Sequence, residues 1–236
     1  MEQKPIKPIK PIKPDEIAKN KPANIEKRTN IIIYSLLGLL LIAIALFMLS
    51  PNVYYGKDFN YKNKDGEKFE FVTGYAGKVP IYTLKINVNY GNKLIKPYEI
   101  PLRNKPSDLE EIQVDSKIES KLLNSKGVFI TMDPELDQKA SIAAIQLAKV
   151  IGTADYGVFK IPTQGAFIQA INLTNNQDYP VKACQDATPD IRVVLLKLGN
   201  ENKAYIDKDC IIIEATNPDN LIKVAEKVVL TILNVL

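Results

Sequence analysis

The run Ile31–Leu49, IIIYSLLGLLLIAIALFML, lies in a stretch without a single charge between Arg28 and Lys57. At 1.5 Å per residue its 19 residues rise about 28 Å, close to the hydrocarbon thickness of a bilayer. A cleaved leader has a shorter apolar core, about 7–15 residues, and a small-x-small cleavage site, and thirty polar residues upstream fit that pattern poorly. The segment therefore reads as a transmembrane helix over residues 31–50, closed by Asn30 and by Ser50-Pro51. Lysines cluster before it at Lys19, Lys21 and Lys27, with Arg28, against Lys57, Lys62 and Lys64 after it. Positive charge favours the cytoplasmic side, so the expected topology is a single-pass cell-membrane protein with a cytoplasmic N-terminus and an extracytoplasmic C-terminal part.

Residues 1–30 carry a triplet repeat, Lys4-Pro5-Ile6 to Lys13-Pro14. Proline at every third position removes backbone donors and fixes φ, which excludes helix and sheet and leaves polyproline II or a disordered basic tail. Eight positive and four negative groups in this tail hold the whole +4 net charge of the 236-residue chain. The remainder is neutral. Apparent basicity thus points to anionic lipid or an acidic protein as the tail's partner, a docked cytosolic machine being a further option, and not to nucleic acid.

From residue 51 to 236 strand and helix signals alternate. Residues 82–90, YTLKINVNY, follow a two-residue period with Leu84, Ile86, Val88 and Tyr90 on one face, and Gly91-Asn92 then turns the chain into a hairpin with 93–100. Another strand is expected near Phe69–Thr73. Ser116-x-x-Glu119 has the capping-box spacing and should start a short helix running to Gly127. Two strand–helix units follow. VFITM (128–132) leads through Asp133-Pro134 into an apolar-periodic stretch to Gly152, and IIIEA (211–215) leads through Asn217-Pro218 into another to Leu236. Asp or Asn followed by Pro suits an N-cap and first helical position. Further strands are expected at 156–161, 166–173, 191–198 and 203–207. The expected fold is α/β or α+β, a mixed sheet covered by two to three helices, preceded by the tail and the membrane helix.

The chemistry open to the chain is narrow. With no histidine, Ser-His-Asp and Cys-His activation are excluded, and two cysteines cannot form a four-thiolate metal site. Nucleotide-binding glycine motifs are missing, and no cofactor is expected. Cys184 and Cys210 are the expected disulfide pair if the domain meets an oxidising space; otherwise Cys210 is a small buried hydrophobe. Asp133, Glu135 and Asp137, at a strand end and helix start, are candidate metal ligands, with Asp133 and Glu135 also candidate catalytic carboxylates. First-turn acids equally serve the helix dipole without any further role. Asp186, Asp190, Asp207 and Asp209 flank the cysteines as a second acidic group. Arg103 and Arg192 are the only arginines after the apolar run, and Asn172-Leu173-Thr174 is the only glycosylation sequon.

Tyr54-Tyr55-Gly56-x-x-Phe59, YEIPLRNKPSDLEEIQVD (98–115), VFITMDPE (128–135), Cys184 and Cys210-Ile-Ile-Ile together resemble a group of uncharacterised archaeal membrane-anchored proteins. That resemblance implies the segment order and brings no activity or site residue. The leading functional expectation is a single-pass envelope protein whose external domain binds or scaffolds an envelope protein or polymer, the sequence offering no convincing catalytic constellation. The alternative is a carboxylate-based envelope hydrolase or metal-binding domain.

Overall fold

In the computed structural model the described residues are 33–40, 42, 56–87, 89–90, 93–94, 97–153, 157–170 and 179–236. The chain divides into two units, Met1–Val53 and Tyr54–Leu236.

In the first unit, residues 33–40 and 42 are helical. No helix among the described residues is long and apolar enough to cross a membrane. This corrects the transmembrane helix expected at 31–50. The single-pass topology, the bilayer as partner and the cell-membrane location rested on that helix and fall with it, as does the lipid role given to the tail. The Lys-Pro-Ile tail itself lies outside the described residues.

The second unit begins with an antiparallel sheet of β1 (Phe59–Lys62), β2 (Lys68–Ala76), β3 (Val79–Ile86) and β6 (Tyr98–Leu102), in that spatial order. Between β3 and β6, β4 (Asn89–Tyr90) and β5 (Lys93–Leu94) pair antiparallel where the hairpin is expected, its turn at 91–92 lying outside the described residues. The register Leu84↔Ile100 and Phe71↔Leu84 aligns three core residues across three strands. Lys85 and Glu99 pair on the other face, so the two-residue period of the sequence does mark the buried side.

A mixed sheet follows, ordered β7 (Gln113–Val114), β11 (Lys203–Asp207), β12 (Cys210–Ala215), β10 (Ile191–Leu198), β8 (Gly127–Met132) and β9 (Thr163–Phe167). β12, β10, β8 and β9 are parallel, whereas β11 runs antiparallel to β12. All six residues of β12 are buried, as expected of a central strand covered on both faces, which explains its unbroken Cys-Ile-Ile-Ile run.

Three helices complete the unit: α1 (Lys117–Leu123), α2 (Gln138–Ile151) and α3 (Pro218–Ile232). The chief core joins Phe71, Leu84, Ile100 and Leu102 of the first sheet to Ala143 and Leu147 of α2, to Val224, Val228 and Val229 of α3, and to Ile130, Leu196, Ile211 and Ile213 of the mixed sheet. The helices are thus a middle layer between two sheets. α3 is buried from Val224 to Leu230 without a break, including Glu226 and Lys227. A helix buried on every side needs neighbours on every side.

Several local expectations are displaced. α2 starts four residues later than Asp133-Pro134 suggested, because Asp137 caps it by accepting from Lys139 N at 3.0 Å. Ser116 makes no side-chain cap; Asp115 takes the Lys117 N–H instead, at 2.9 Å, and α1 ends at Leu123. Residues 157–161 form no strand, and Lys160 at φ 56 breaks the extended path. β9 is Thr163–Phe167, earlier than the strand expected at 166–173, and 171–178, with the Asn172 sequon, lie outside the described residues.

Candidate functional site

The ends of β2 and β3 and the last turn of α3 leave a cavity of about 670 Å³. Phe69 and Ile86 come from the inner face of the antiparallel sheet, Ile232 and Leu233 from the end of α3, and Val158 and Phe159 from the segment after α2. These six supply an apolar floor. Lys68, Glu70, Lys85, Asn87 and Glu119 stand around it as charged or amide groups. Strand alternation explains the mixture: Phe69 and Ile86 point inward while their neighbours Lys68, Glu70 and Lys85 are exposed.

Asn234 completes the lining. Its φ of 57 places it in the left-handed region that ends helices, where Asn is better tolerated than most residues. Its carbonyl accepts from Asn63 Nδ2 at 2.9 Å, which ties the end of α3 to the turn after β1. The cavity wall is therefore braced at the point where the helix stops. A volume in the range of 300–1,000 Å³ and an apolar floor with a few polar groups are the usual attributes of a small-molecule site.

Two buried ionisable residues stand higher on α3. Glu226 is fully buried, and its carboxylate accepts from Arg103 N at 2.6 Å, Asn104 N at 3.1 Å and Asn104 Nδ2 at 2.7 Å. Burial pushes its carboxyl above the ordinary range, against those three donors. The Lys227 ammonium is pulled down by burial first and by Lys64 second. Nearby, Tyr61 donates to Glu110 at 2.9 Å, and burial together with that carboxylate pushes the phenol up to about 12. Glu226 anchors the chain leaving β6 to the central helix, which is a structural task.

On the opposite face of the mixed sheet, Glu214 receives Lys197 Nζ at 2.9 Å, Tyr205 OH at 3.2 Å and Asn200 N at 3.1 Å. Its carboxyl is held below the ordinary range, chiefly by Lys197. A Cβ on Gly199 would stand 2.3 Å from the Glu214 carboxyl, so any larger residue there would push that carboxylate aside. At the other end of that sheet Asp209 pairs with Arg192 and with Lys121 at 3.4 Å, and the Arg192 guanidinium holds its carboxyl low. Each network spends its donors on its own acceptor.

The acidic candidates of the sequence are not brought together. Asp133 Oδ1 accepts from Glu135 N at 2.9 Å in a local turn, Asp137 caps α2, and Glu135 is exposed. Among the described residues no group of three or more His, Cys, Asp or Glu side chains can hold a metal ion. This corrects the metal-binding alternative and leaves the carboxylate-hydrolase reading without a constellation. Asp186 accepts from Ala183 N at 2.7 Å and Asp190 pairs with Lys126 at 2.9 Å, so the second acidic group also disperses. The expected disulfide is present: Cys184 and Cys210 are joined, with S–S 2.05 Å. The cavity residues carried no signal of their own in the sequence, since five separate parts of the chain meet there only in the fold.

No family model, curated protein or solved structure matches the chain. The resemblance to archaeal membrane-anchored proteins is therefore not upheld. Its motifs have plain structural reasons: 98–102 is a core-facing strand, 128–132 another, and Asp133-Pro134-Glu135 a turn. With it goes the envelope-scaffold function that was built on anchoring.

Proposed function

We propose that the Tyr54–Leu236 unit is a small-molecule-binding domain, its site the cavity between β2, β3 and the end of α3. The observation that carries this reading is the apolar floor of Phe69, Ile86, Phe159 and Ile232 beneath a rim bearing both ammonium and carboxylate groups. Such a lining favours a compact ligand with an apolar body and charged ends of either sign, because buried carbon is removed from water while the charges stay at the mouth. Shifted ionisable groups elsewhere in the unit are accounted for by internal bracing, which places the weight on binding over turnover.

The test is a thermal-shift and calorimetric screen of small amphipathic acids, amines and zwitterions against the full chain and against Asn87→Trp. Asn87 is exposed at the rim, so tryptophan there blocks the mouth without touching the core. A ligand at 100 times its Kd adds about 2.7 kcal/mol of stability. Compounds that stabilise the wild type and lose at least tenfold in affinity for the variant support the proposal. A screen without hits, or hits equally strong on the variant, overturns it.

A further inference from the structure

The Cys184–Cys210 bond sits on the face of the mixed sheet covered by no helix longer than the single turn 184–186. On that face Val193, Cys210 and Ile212 form a small apolar cluster with Phe129, Leu195 and Tyr205 beside them. Its cover is the segment 179–190, whose apolar contribution to the cluster is two small side chains, Cys184 and Ala187. Both ends of this cover are tied to the sheet: the Tyr179 ring meets Phe167 edge-on at 5.2 Å, and Asp190 O accepts from Lys126 N at 2.7 Å while its carboxylate pairs with Lys126 at 2.9 Å. Thr131 Oγ1 donates to Lys182 O at 2.7 Å, Lys182 N donates to Phe167 O at 2.9 Å, Phe167 N donates to Pro180 O at 3.1 Å, and the Lys182 ammonium lies 5.4 Å from the Phe129 ring centroid. The other face of the same sheet is packed by the central helices and belongs to the chief core. A local opening of 183–187 therefore need not disturb the rest of the unit.

We propose that this disulfide is a redox latch, which a dithiol reductant opens to free the 183–187 turn and uncover an apolar strip of Phe129, Val193 and Ile212. The two sulfurs are unequal. Cys210 is 1% exposed at the start of a central strand, whereas Cys184 is part-exposed in a single turn of helix over 184–186. A reductant thiolate attacks Cys184 Sγ, the S–S bond breaks, and Cys210 leaves as a thiolate that takes a proton. The reductant's second thiolate then attacks its own sulfur in the mixed disulfide and releases Cys184. Two electrons pass to the protein, two cysteine thiols form, and the dithiol becomes a disulfide. Freed from Cys210, the 183–187 turn keeps one methyl group on the cluster, from Ala187, and bonds within itself, while both ends of the cover stay tied. Chain freedom regained on opening the loop between positions 184 and 210 favours its departure. What it leaves is an apolar strip crossing β8, β10 and β12.

Amide hydrogen exchange of the full chain, with and without dithiothreitol, tests the latch, with mass change on alkylation confirming two free thiols. The expected result is at least a tenfold faster exchange of the Asp186 and Ala187 amides on reduction. Exchange over 143–150 and 221–230 should stay constant, and binding of an apolar dye should rise and then reverse on reoxidation. The Cys184→Ser variant should show the open pattern without reductant. Resistance of the bond to the dithiol in the native protein, unchanged exchange in the segment after reduction, or a simultaneous rise across the central helices each overturn the proposal. The last would make the bond a staple for the whole fold.

Discussion

Glu226 has its carboxylate out of reach of water and three N–H donors directed at it. Removing the acceptor would strand those donors, and each buried unsatisfied group costs about 1–3 kcal/mol. Glu226→Ala should therefore lose about 3 kcal/mol or more in urea unfolding. Glu226→Gln keeps the shape and one carbonyl oxygen but presents an NH₂ to a donor, so a loss of about 1–3 kcal/mol is expected. The pH dependence separates the two contributions. Burial raises the folded-state pKa above the unfolded one, so the folded protein holds this proton more tightly. Its stabilisation is complete below the ordinary carboxylate range and declines as pH rises through the raised value. The glutamine variant has no such slope, so its deficit should shrink as pH rises across that window. A deficit that grows instead would show that the three donors outweigh burial. Lys227, one residue on, has its pKa shifted down by the same burial, opposite in sign because its charged form is the protonated one.

At the scale of elements, caps explain what the sequence could and could not disclose. Asn217 and Pro218 were legible as a helix start, and α3 begins there, with Asn217 accepting from Asn220 N at 2.9 Å. Asp133-Pro134 carried the same signal and was misleading. Asp137 four residues on competes for the cap, and Asp133 forms a turn in its place. Ser116 is the same kind of error at α1, since the neighbouring Asp115 reaches the first free N–H. Apolar periodicity identified β8, β10 and β12 within a residue because central parallel strands are continuous apolar runs. It failed at 157–161, where apolar residues line a cavity and a core edge along an irregular path. The cavity itself was illegible for a related reason: a concave site made by β2, β3, α1 and the end of α3 has no local pattern. A paired substitution checks the cap assignment. Asn217→Ala should cost about 1 kcal/mol, and Ser116→Ala should stay within about 0.5 kcal/mol of wild type in chemical unfolding. Equal effects at the two sites would contradict the observed cap geometry.

At the scale of the whole unit, the last helix in the chain is also the most central. α3 packs against β12 and β10 on one side and α2 alongside, while Glu226 holds the chain that leaves β6. The two sheets therefore share one apolar core, and neither has a separate one large enough to persist alone. Their unfolding should be a single event. Far-ultraviolet circular dichroism, which weights the helices, and tyrosine fluorescence from Tyr61, Tyr82 and Tyr98 in the antiparallel sheet should give the same urea midpoint. The stretch Tyr54–Leu236 forms a compact unit of its own, so a chain beginning at residue 54 should unfold at the full-length midpoint. A chain ending at Thr216, lacking α3, should have no cooperative transition, because the inner faces of both sheets would lie open to water. Two resolved transitions in the intact chain, or a cooperative transition in the one ending at Thr216, would show that the sheets are independently stable and that α3 docks between preformed layers.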